Sequence, residues 1–217
     1  MLLLWKEARI VALRKPSKPD YSKAKAYRPI SLLQTISKGL ETLVARRLSY
    51  LAETHQLLPK NHFGARPKRS AVQALLLVTE KIYNAWRAGK VLSLLSFDVQ
   101  GAFNRVHLDV LTQRLKERRI PPLLVKWIRN FCRSRRGSIA LGGYDSEMAD
   151  IGHAGVPQGS PLSPILFVFY NASLVEQSIN TAGGSIGFVD DYNVWVTGRT
   201  IAENLTRLQT EVIPRAS

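Results

Sequence analysis

Between Ser37 and Glu53, Leu40, Leu43, Val44, Arg47, Leu48 and Leu51 recur close to every 3.6 positions, which predicts an amphipathic helix. A second helix is expected from about Ser70 to Arg87, with Ser70 suited to the N-cap and Gly89 to the stop. The pattern then changes. "VLSLLSFDV", residues 91–99, is short, largely apolar and bounded by Gly89 and Gly101, which suits a buried strand. Two helical segments follow, about 107–119 and 123–135, separated by Pro121-Pro122. "GSIAL" and "EMADIG" resemble the arms of a hairpin around Gly142-Gly143. "GVPQGSPLSP" reads as a rigid loop feeding a helix of about 161–177, with Ser160 as N-cap and Pro161 in the first helical position. "GSIGFV" and "YNVWVTG" read as two strands joined at Asp190-Asp191. Ahead of these, residues 1–13 form an extended or short helical lead, and "RKPSKPDYSKAKAYRP" a basic loop. "LLPKNHFGARPKRS" is a loop by its Pro, Asn and Gly content.

Composition narrows the partners. With 217 residues, 45% of them hydrophobic, the chain buries a core as one large domain or two small ones. Lys and Arg number 31 against 16 acids, giving +15, and the pI is near 10.3. That excess favours a polyanion, nucleic acid being the commonest. A membrane surface is the rival, yet no window approaches the roughly 18 apolar residues of a spanning helix. The opening "MLLLW" is interrupted at once by Lys6 and Glu7, too soon for a signal peptide. A single cysteine, Cys132, leaves no internal disulfide and no cysteine-based zinc cluster, and it reads as a small core residue. His55, His62, His107 and His153 show no metal-pair spacing. A soluble, intracellular globular chain is expected.

The candidate chemistry is carboxylate chemistry. A tight hairpin turn favours Asn-Gly or Asp-Gly, so Asp190-Asp191 is a poor turn choice, and adjacent carboxylates repel unless a cation compensates them. An acidic surface turn would explain the pair alone. Asp98 changes the balance, because it too leaves an apolar strand. Mg²⁺ takes one or two protein carboxylates and completes its shell with water and phosphate oxygens. Two such ions stabilise the attacking and leaving oxygens of a phosphoryl transfer. With the basic chain, this pattern favours nucleotidyl transfer.

Three stretches make the pattern specific. "FDVQGAFNRV" (97–106), "GVPQGSPLSPILF" (155–167) and "FVDD" (188–191), in this order, resemble the palm motifs of reverse transcriptases of non-LTR (LINE-type) retrotransposons. Upstream, "YRPISLL" (27–33), "KGLETLVARRL" (38–48) and "HFGARPKRSAVQAL" (62–75) resemble the fingers of the same enzymes. The resemblance covers about residues 5–198. It implies an α+β, right-hand polymerase fold: a mainly helical fingers region (1–90), a palm on a small antiparallel β-sheet (91–198), and the start of a palm helix (199–217). It implies RNA-directed DNA synthesis from a primer 3′-hydroxyl, with two Mg²⁺ ions, dNTPs, an RNA template and a DNA primer, in the nucleus.

Residue roles follow from the same resemblance. Asp98, Asp190 and Asp191 match the catalytic carboxylates, Asp98 and Asp190 as principal metal ligands. Phe103 matches the aromatic that stacks under the nucleotide sugar and excludes a 2′-hydroxyl. Arg28 matches the fingers arginine that reaches the triphosphate, for which its planar fork is suited. Lys15 and Lys18 are candidates for a second phosphate contact. Gln158 lies near the nucleotide sugar, and Gly159 permits close backbone approach. Arg66, Lys68 and Arg69 form a basic cluster placed near the template. Independently of the resemblance, Lys126, Arg129, Arg133 and Arg136 are spaced to share one helix face, opposite Leu124, Trp127, Ile128 and Phe131. Such a stripe tracks a phosphate backbone or is an ordinary solvated face.

The sequence also departs from the pattern. Val189 stands where alanine is usual, Ala65 where an aromatic is frequent, and Ala71 where threonine is common. Beyond Gly198 the 19 residues "RTIAENLTRLQTEVIPRAS" match only the start of what the family continues into a primer grip and thumb. The resemblance therefore implies fingers and palm truncated before the thumb. The alternative reading is an inactive remnant that binds nucleic acid through its basic surface.

Overall fold

The structure is a computed structural model that describes residues 3–99, 101–152, 154–177, 179 and 183–216. His153, read above as lacking a metal-pair spacing, lies outside the described residues. The fold is mixed α+β and divides into two compact units, residues 1–51 with 101–166 and residues 52–100 with 167–217. Each unit joins two distant stretches of chain.

The first unit contains a sheet that the sequence reading missed. Strand β1 (Glu7–Arg14) pairs antiparallel with β2 (Tyr27–Leu33). A later strand, β4 (Arg136–Leu141), lies parallel to β1 on its other side. Region 1–90 therefore carries a strand pair beside its helices. Proline 29 had argued for a loop, but β2 is an edge strand, where a missing N–H breaks no ladder. β4 turns back into β5 (Tyr144–Asp145) across Gly142 and Gly143, whose φ of 59° and 87° suit a two-residue hairpin turn. The start of β4 also pairs with β6 (Ala149–Asp150).

Helix α1 (Thr35–Thr54) contributes residues to both units, as does α5 (Ser163–Glu176). In the first unit α3 (Leu108–Glu117) and α4 (Pro122–Cys132) form a helical hairpin. Leu111, Leu115, Ile128 and Phe131 are fully buried there. The buried Cys132 thiol is pushed up to about 12 by desolvation, fitting an inert core residue.

Helix α4 ends earlier than expected. Arg133 is already extended, and Ser134 takes a φ of 51°. Lys126 and Arg129 therefore lie on a helix, whereas Arg133 follows it and Arg136 opens β4, so the four do not share one helical face. Helix α5 also starts later than its prolines suggested. Ser160 caps a turn ahead of the helix, accepting from the Leu162 amide at 3.1 Å, and Pro161 precedes the first helical residue.

The second unit follows the sequence closely. Helix α2 (Ala71–Arg87) opens with a capping box in which Ser70 and Gln73 exchange hydrogen bonds, and Gly89 follows its end at φ 64°. Strands β3 (Val91–Asp98), β8 (Asp191–Gly198) and β7 (Gly183–Phe188) form an antiparallel sheet in the order β3-β8-β7. Helix α6 (Ile201–Arg207) touches β3 and β8 and continues through a π-helical turn (Leu208–Val212) into α7 (Ile213–Ala216). Val175, Ile179, Tyr192, Val194, Val196, Leu208 and Val212 form one buried apolar cluster of this unit. Among the described residues no helix is long and apolar enough to cross a membrane.

Candidate active site

The three aspartates converge in the second unit because of strand register. β3 and β8 are aligned residue for residue from Val91↔Gly198 to Asp98↔Asp191, so Asp98 lies directly across from Asp191. Cross-strand side chains hold this register. The Phe97 and Tyr192 rings stack at 5.7 Å, and the Ser96 hydroxyl donates to the Asn193 side chain next to them. A one-residue slip would put these groups on opposite faces and carry Asp98 away from Asp191.

The β7–β8 turn corrects the sequence reading in one respect. Phe188 pairs with Asp191, so the two turn residues are Val189 and Asp190, and Asp191 is already the first residue of β8. Val189 takes a φ of 55°, an unusual conformation for a β-branched side chain. The valine that departs from the usual alanine thus stands at a turn position that glycine or asparagine would fill without strain.

The three carboxylates lie close enough to repel one another. The Asp191 carboxyl is pushed above its usual range by partial desolvation and by the neighbouring charges of Asp190 and Asp98. Among the described residues none of the three forms an ion pair. Among those residues, too, no three His, Cys, Asp or Glu side chains close around a single point as a preformed cage. In chemistry alone, carboxylate oxygens are the donor type that Mg²⁺ takes, one or two at a time.

The first unit collects the residues assigned to the nucleotide. Phe103 is half-buried in a short 3₁₀ turn, and its carbonyl accepts from the Val156 amide at 2.9 Å. Gly155, at φ 63°, lies so close to the Phe103 and Asn104 backbone that a Cβ would collide with it. This glycine, unassigned in the sequence reading, fixes the height at which Phe103 is presented. The Gln158 carbonyl accepts from the Ser31 amide at 2.7 Å, on the free edge of β2. Gly159 (φ 117°) would bring a Cβ to 2.6 Å from the Ser31 carbonyl oxygen, so glycine is required here by the chain's own packing. An open cleft of about 540 Å³ is lined by Lys38, Phe103, Gln158, Gly159 and Ser160 among others. Lys38 was not singled out from the sequence, where a lone lysine at a helix start carries no signal.

Beneath this loop lies a polar anchor that sequence reasoning also missed. Glu41 is fully buried and accepts from the Ser37 hydroxyl at 2.5 Å and from the Ser160 hydroxyl. Its place in the α1 pattern was the only cue, a charge at a position the helical period turns inward.

The basic residues divide into free and committed. Arg28 on β2 and Lys18 in the preceding loop are exposed, whereas the Lys15 ammonium donates to the Lys25 carbonyl at 3.0 Å. Arg66 is turned inward. Its side chain is 3% exposed and pairs with Glu53 at 2.7 Å, while its Nη1 donates to the Pro59 and His62 carbonyls. Most of the donors of this guanidinium, expected near template, are used inside the unit. Lys68 is exposed, and Arg69 donates to the Lys60 carbonyl and lies over the Phe63 ring. Lys126 and Arg133 are exposed, Arg129 pairs with Asp109 at 2.8 Å, and Arg136 approaches Glu7 at 3.6 Å.

Comparison with known proteins places this arrangement. The fold is similar to that of apo telomerase from Candida tropicalis, with a TM-score of 0.65 and 9% identity over 98% of this chain and 42% of that one. A Candida albicans telomerase in complex with a telomeric RNA fragment aligns at a TM-score of 0.61 and 15% identity, over 97% of this chain and 41% of that one. These likenesses show a shared fold. The family described as reverse transcriptase (RNA-dependent DNA polymerase) matches residues 13–213, and the chain belongs to it. Its sequence relatives are non-LTR retrotransposon polymerases. A probable RNA-directed DNA polymerase from transposon X-element of Drosophila melanogaster is 33% identical over 92% of this chain and 22% of that protein. The polymerase of mobile element jockey from Drosophila funebris is 31% identical over 93% of this chain and 22% of its own length. The Pol polyprotein of element R2 from Popillia japonica is 29% identical over 79% of this chain and 24% of its own length. The chain thus spans between about a fifth and a quarter of the length of these three relatives.

Proposed function

We propose that this chain carries out the nucleotidyl transfer of reverse transcription, adding dNTPs to a DNA primer 3′-hydroxyl opposite an RNA template. The observation that carries the reading is the register that sets Asp98 across from Asp191, with Asp190 in the adjoining turn. Asp98 and Asp190 would be the principal ligands of two Mg²⁺ ions and Asp191 a supporting one. Bound there, the ions supply positive charge that favours the primer alkoxide and offsets the charge developing on pyrophosphate. The chain's part is to hold these carboxylates in place, Asp98 at the end of β3 and the other two at the β7–β8 turn, so that little reorganisation accompanies the reaction. The primer oxygen attacks the α-phosphorus, the new P–O bond forms, and pyrophosphate leaves.

The nucleotide contacts follow in the same proposal. Arg28 offers an exposed planar fork to the triphosphate, and Lys18 is the freer of the two loop lysines for a second contact. Gln158 lies by the sugar. Phe103 acts as the gate against ribose, held in place by Gly155. Phe103→Ala is expected to raise incorporation of rNTPs relative to dNTPs by about one to two orders of magnitude, a discrimination of about 1–3 kcal/mol, as expected when a pocket admits one extra group. Single-nucleotide extension with dCTP and CTP checks this, and an unchanged ratio would remove Phe103 from the role. Lys68, Arg69, Lys126, Arg129, Arg133 and Arg136 are the proposed phosphate-backbone contacts, supported by the net charge of +15. A chain acting on a DNA primer works where DNA is kept, which is the basis for placing it in the nucleus.

Primer extension tests the whole reading, using the purified chain, an RNA template with a DNA primer, dNTPs and Mg²⁺. Extension that depends on all four components supports it. Tight binding of the duplex with no extension overturns it in favour of a binding remnant.

A further inference from the structure

We propose that His62 and Asn171 form a buried hydrogen-bond relay that holds the Val189–Asp190 turn, which makes His62 a positioning residue for the transfer reaction. This rests on the reading given under Proposed function.

The relay is built from three contacts within the second unit. His62 is fully buried, and its Nε2 lies 3.1 Å from the Asn171 Oδ1. The Asn171 Nδ2 donates to the Val189 carbonyl at 2.7 Å. A carbonyl only accepts, so the amide group of Asn171 faces Val189 and its oxygen faces His62. His62 therefore carries its proton on Nε2. Nδ1 is left bare, and among the described residues it has no partner. Burial holds His62 down to about 4, with the Asn171 hydrogen bond opposing and Arg66 and Arg69 adding to the depression. The ring is thus neutral near pH 7, with the proton on Nε2.

Backbone ties fix the histidine to the same turn from a second direction. The Phe63 amide donates to the Gly187 carbonyl at 2.8 Å and the Gly187 amide to the Asn61 carbonyl at 3.1 Å. Asn61 adds a side-chain bond to the Ser185 carbonyl. Gly64 lies against the Val189 backbone with no room for a Cβ. Residues 61–64 therefore line the outer edge of β7, ending on the turn itself.

The turn has a reason to need this support. A β-branched residue at φ 55° is disfavoured, and such conformations persist where surroundings over-determine them. The relay bonds the carbonyl of that residue, fixing the peptide plane that joins it to Asp190. A metal ligand held less closely than about 0.5 Å loses its use. Nothing in this chain of contacts touches substrate, so the role is one of positioning.

The test compares His62→Leu, Asn171→Leu and Asn171→Asp with His62→Gln, which restores an amide donor where Nε2 stands. Asn171→Asp keeps the volume and sets a carboxylate oxygen in place of the amide donor to Val189, so, in folded protein, it decides the matter if the leucine variants do not fold. Two readouts are taken on the 217-residue chain. Amide hydrogen exchange of the 188–192 segment is expected to quicken about tenfold or more in the three disrupting variants, with His62→Gln near the parent. Single-nucleotide addition is expected to lose about 10- to 100-fold in maximal rate, as for other partners behind metal ligands, with the dNTP half-saturation unchanged. Unchanged exchange at 188–192 in folded variants overturns the relay, as does equal loss in His62→Gln. If the parent chain does not extend primers, the functional reading fails, while the exchange data still decide whether the relay exists.

Discussion

Asp98→Ala is expected to lower single-nucleotide extension by about 10³-fold or more, the scale of removing a principal electrostatic element from a transfer site. The same family of substitutions should move stability the other way. In the absence of Mg²⁺, Asp98, Asp190 and Asp191 repel one another without compensating ion pairs among the described residues. The Asp191 carboxyl is raised, so its ionised form destabilises the folded state relative to the unfolded one. That penalty is absent below the unfolded value of about 3.9 and complete once the pH exceeds the raised folded value. Asp191→Asn should therefore raise the melting temperature of metal-free protein at pH 7, and the difference should vanish near pH 3. The side chain reaches solvent, so the gain is small and shrinks with salt. Mg²⁺ should stabilise the parent more than either variant. Thermal melts across pH, with and without Mg²⁺, check this beside the extension assay. A melting temperature that falls on Asp191→Asn at pH 7 without metal would show the carboxylate to be satisfied, contrary to a site awaiting cations.

The sequence carried the second unit nearly whole and the first only in part, for physical reasons. Ser70 and Gly89 announce α2 by local capping chemistry, and "VLSLLSFD" announces β3 by composition. Both signals are local. The pairing of β1 with β4 is not, because it joins residues 7–11 to residues 136–140 and leaves no mark in either stretch. Pro29 misdirected the reading because a proline in an edge strand looks the same, in sequence, as one in a loop. Helix α4 looked longer than it is because Arg133 and Arg136 keep a helical spacing beyond the residue where the backbone turns extended.

At the site the same division holds. Asp98, Asp190 and Asp191 were legible because like charges at strand ends are costly without a purpose. Which residue occupies the turn was not, since "FVDD" is compatible with a turn one residue later. Glu41, His62 and Asn171 were missed for a common reason: each is a polar side chain satisfied by a partner far away in sequence. His62 was weighed as a metal ligand by spacing to other histidines, whereas its partner is an asparagine 109 positions on.

Arg66 gives the largest stability effect the structure implies. Its side chain is 3% exposed, and it makes two bonds to Glu53, while its Nη1 donates to the carbonyls of Pro59 and His62. Arg66→Ala removes one partner of a buried pair and leaves two carbonyls without donors, at a cost of about 3–5 kcal/mol. Arg66→Lys keeps the charge and loses the fork, so it should recover only part of that. Glu53→Gln, at the more open end of the pair, should cost less. Urea unfolding of the four proteins gives these values. Because the His62 carbonyl is one of the acceptors, the loop that leads to the Val189 turn loosens with it. Nucleic-acid binding separates this account from the surface reading of "RPKR". Lys68→Ala should weaken duplex binding and reduce the salt slope by about one, whereas Arg66→Ala, measured without denaturant on protein that is still folded, should leave the slope as it is. A loss of slope by about one in Arg66→Ala with unchanged unfolding would put the guanidinium on phosphate and overturn its assignment as an internal cross-link.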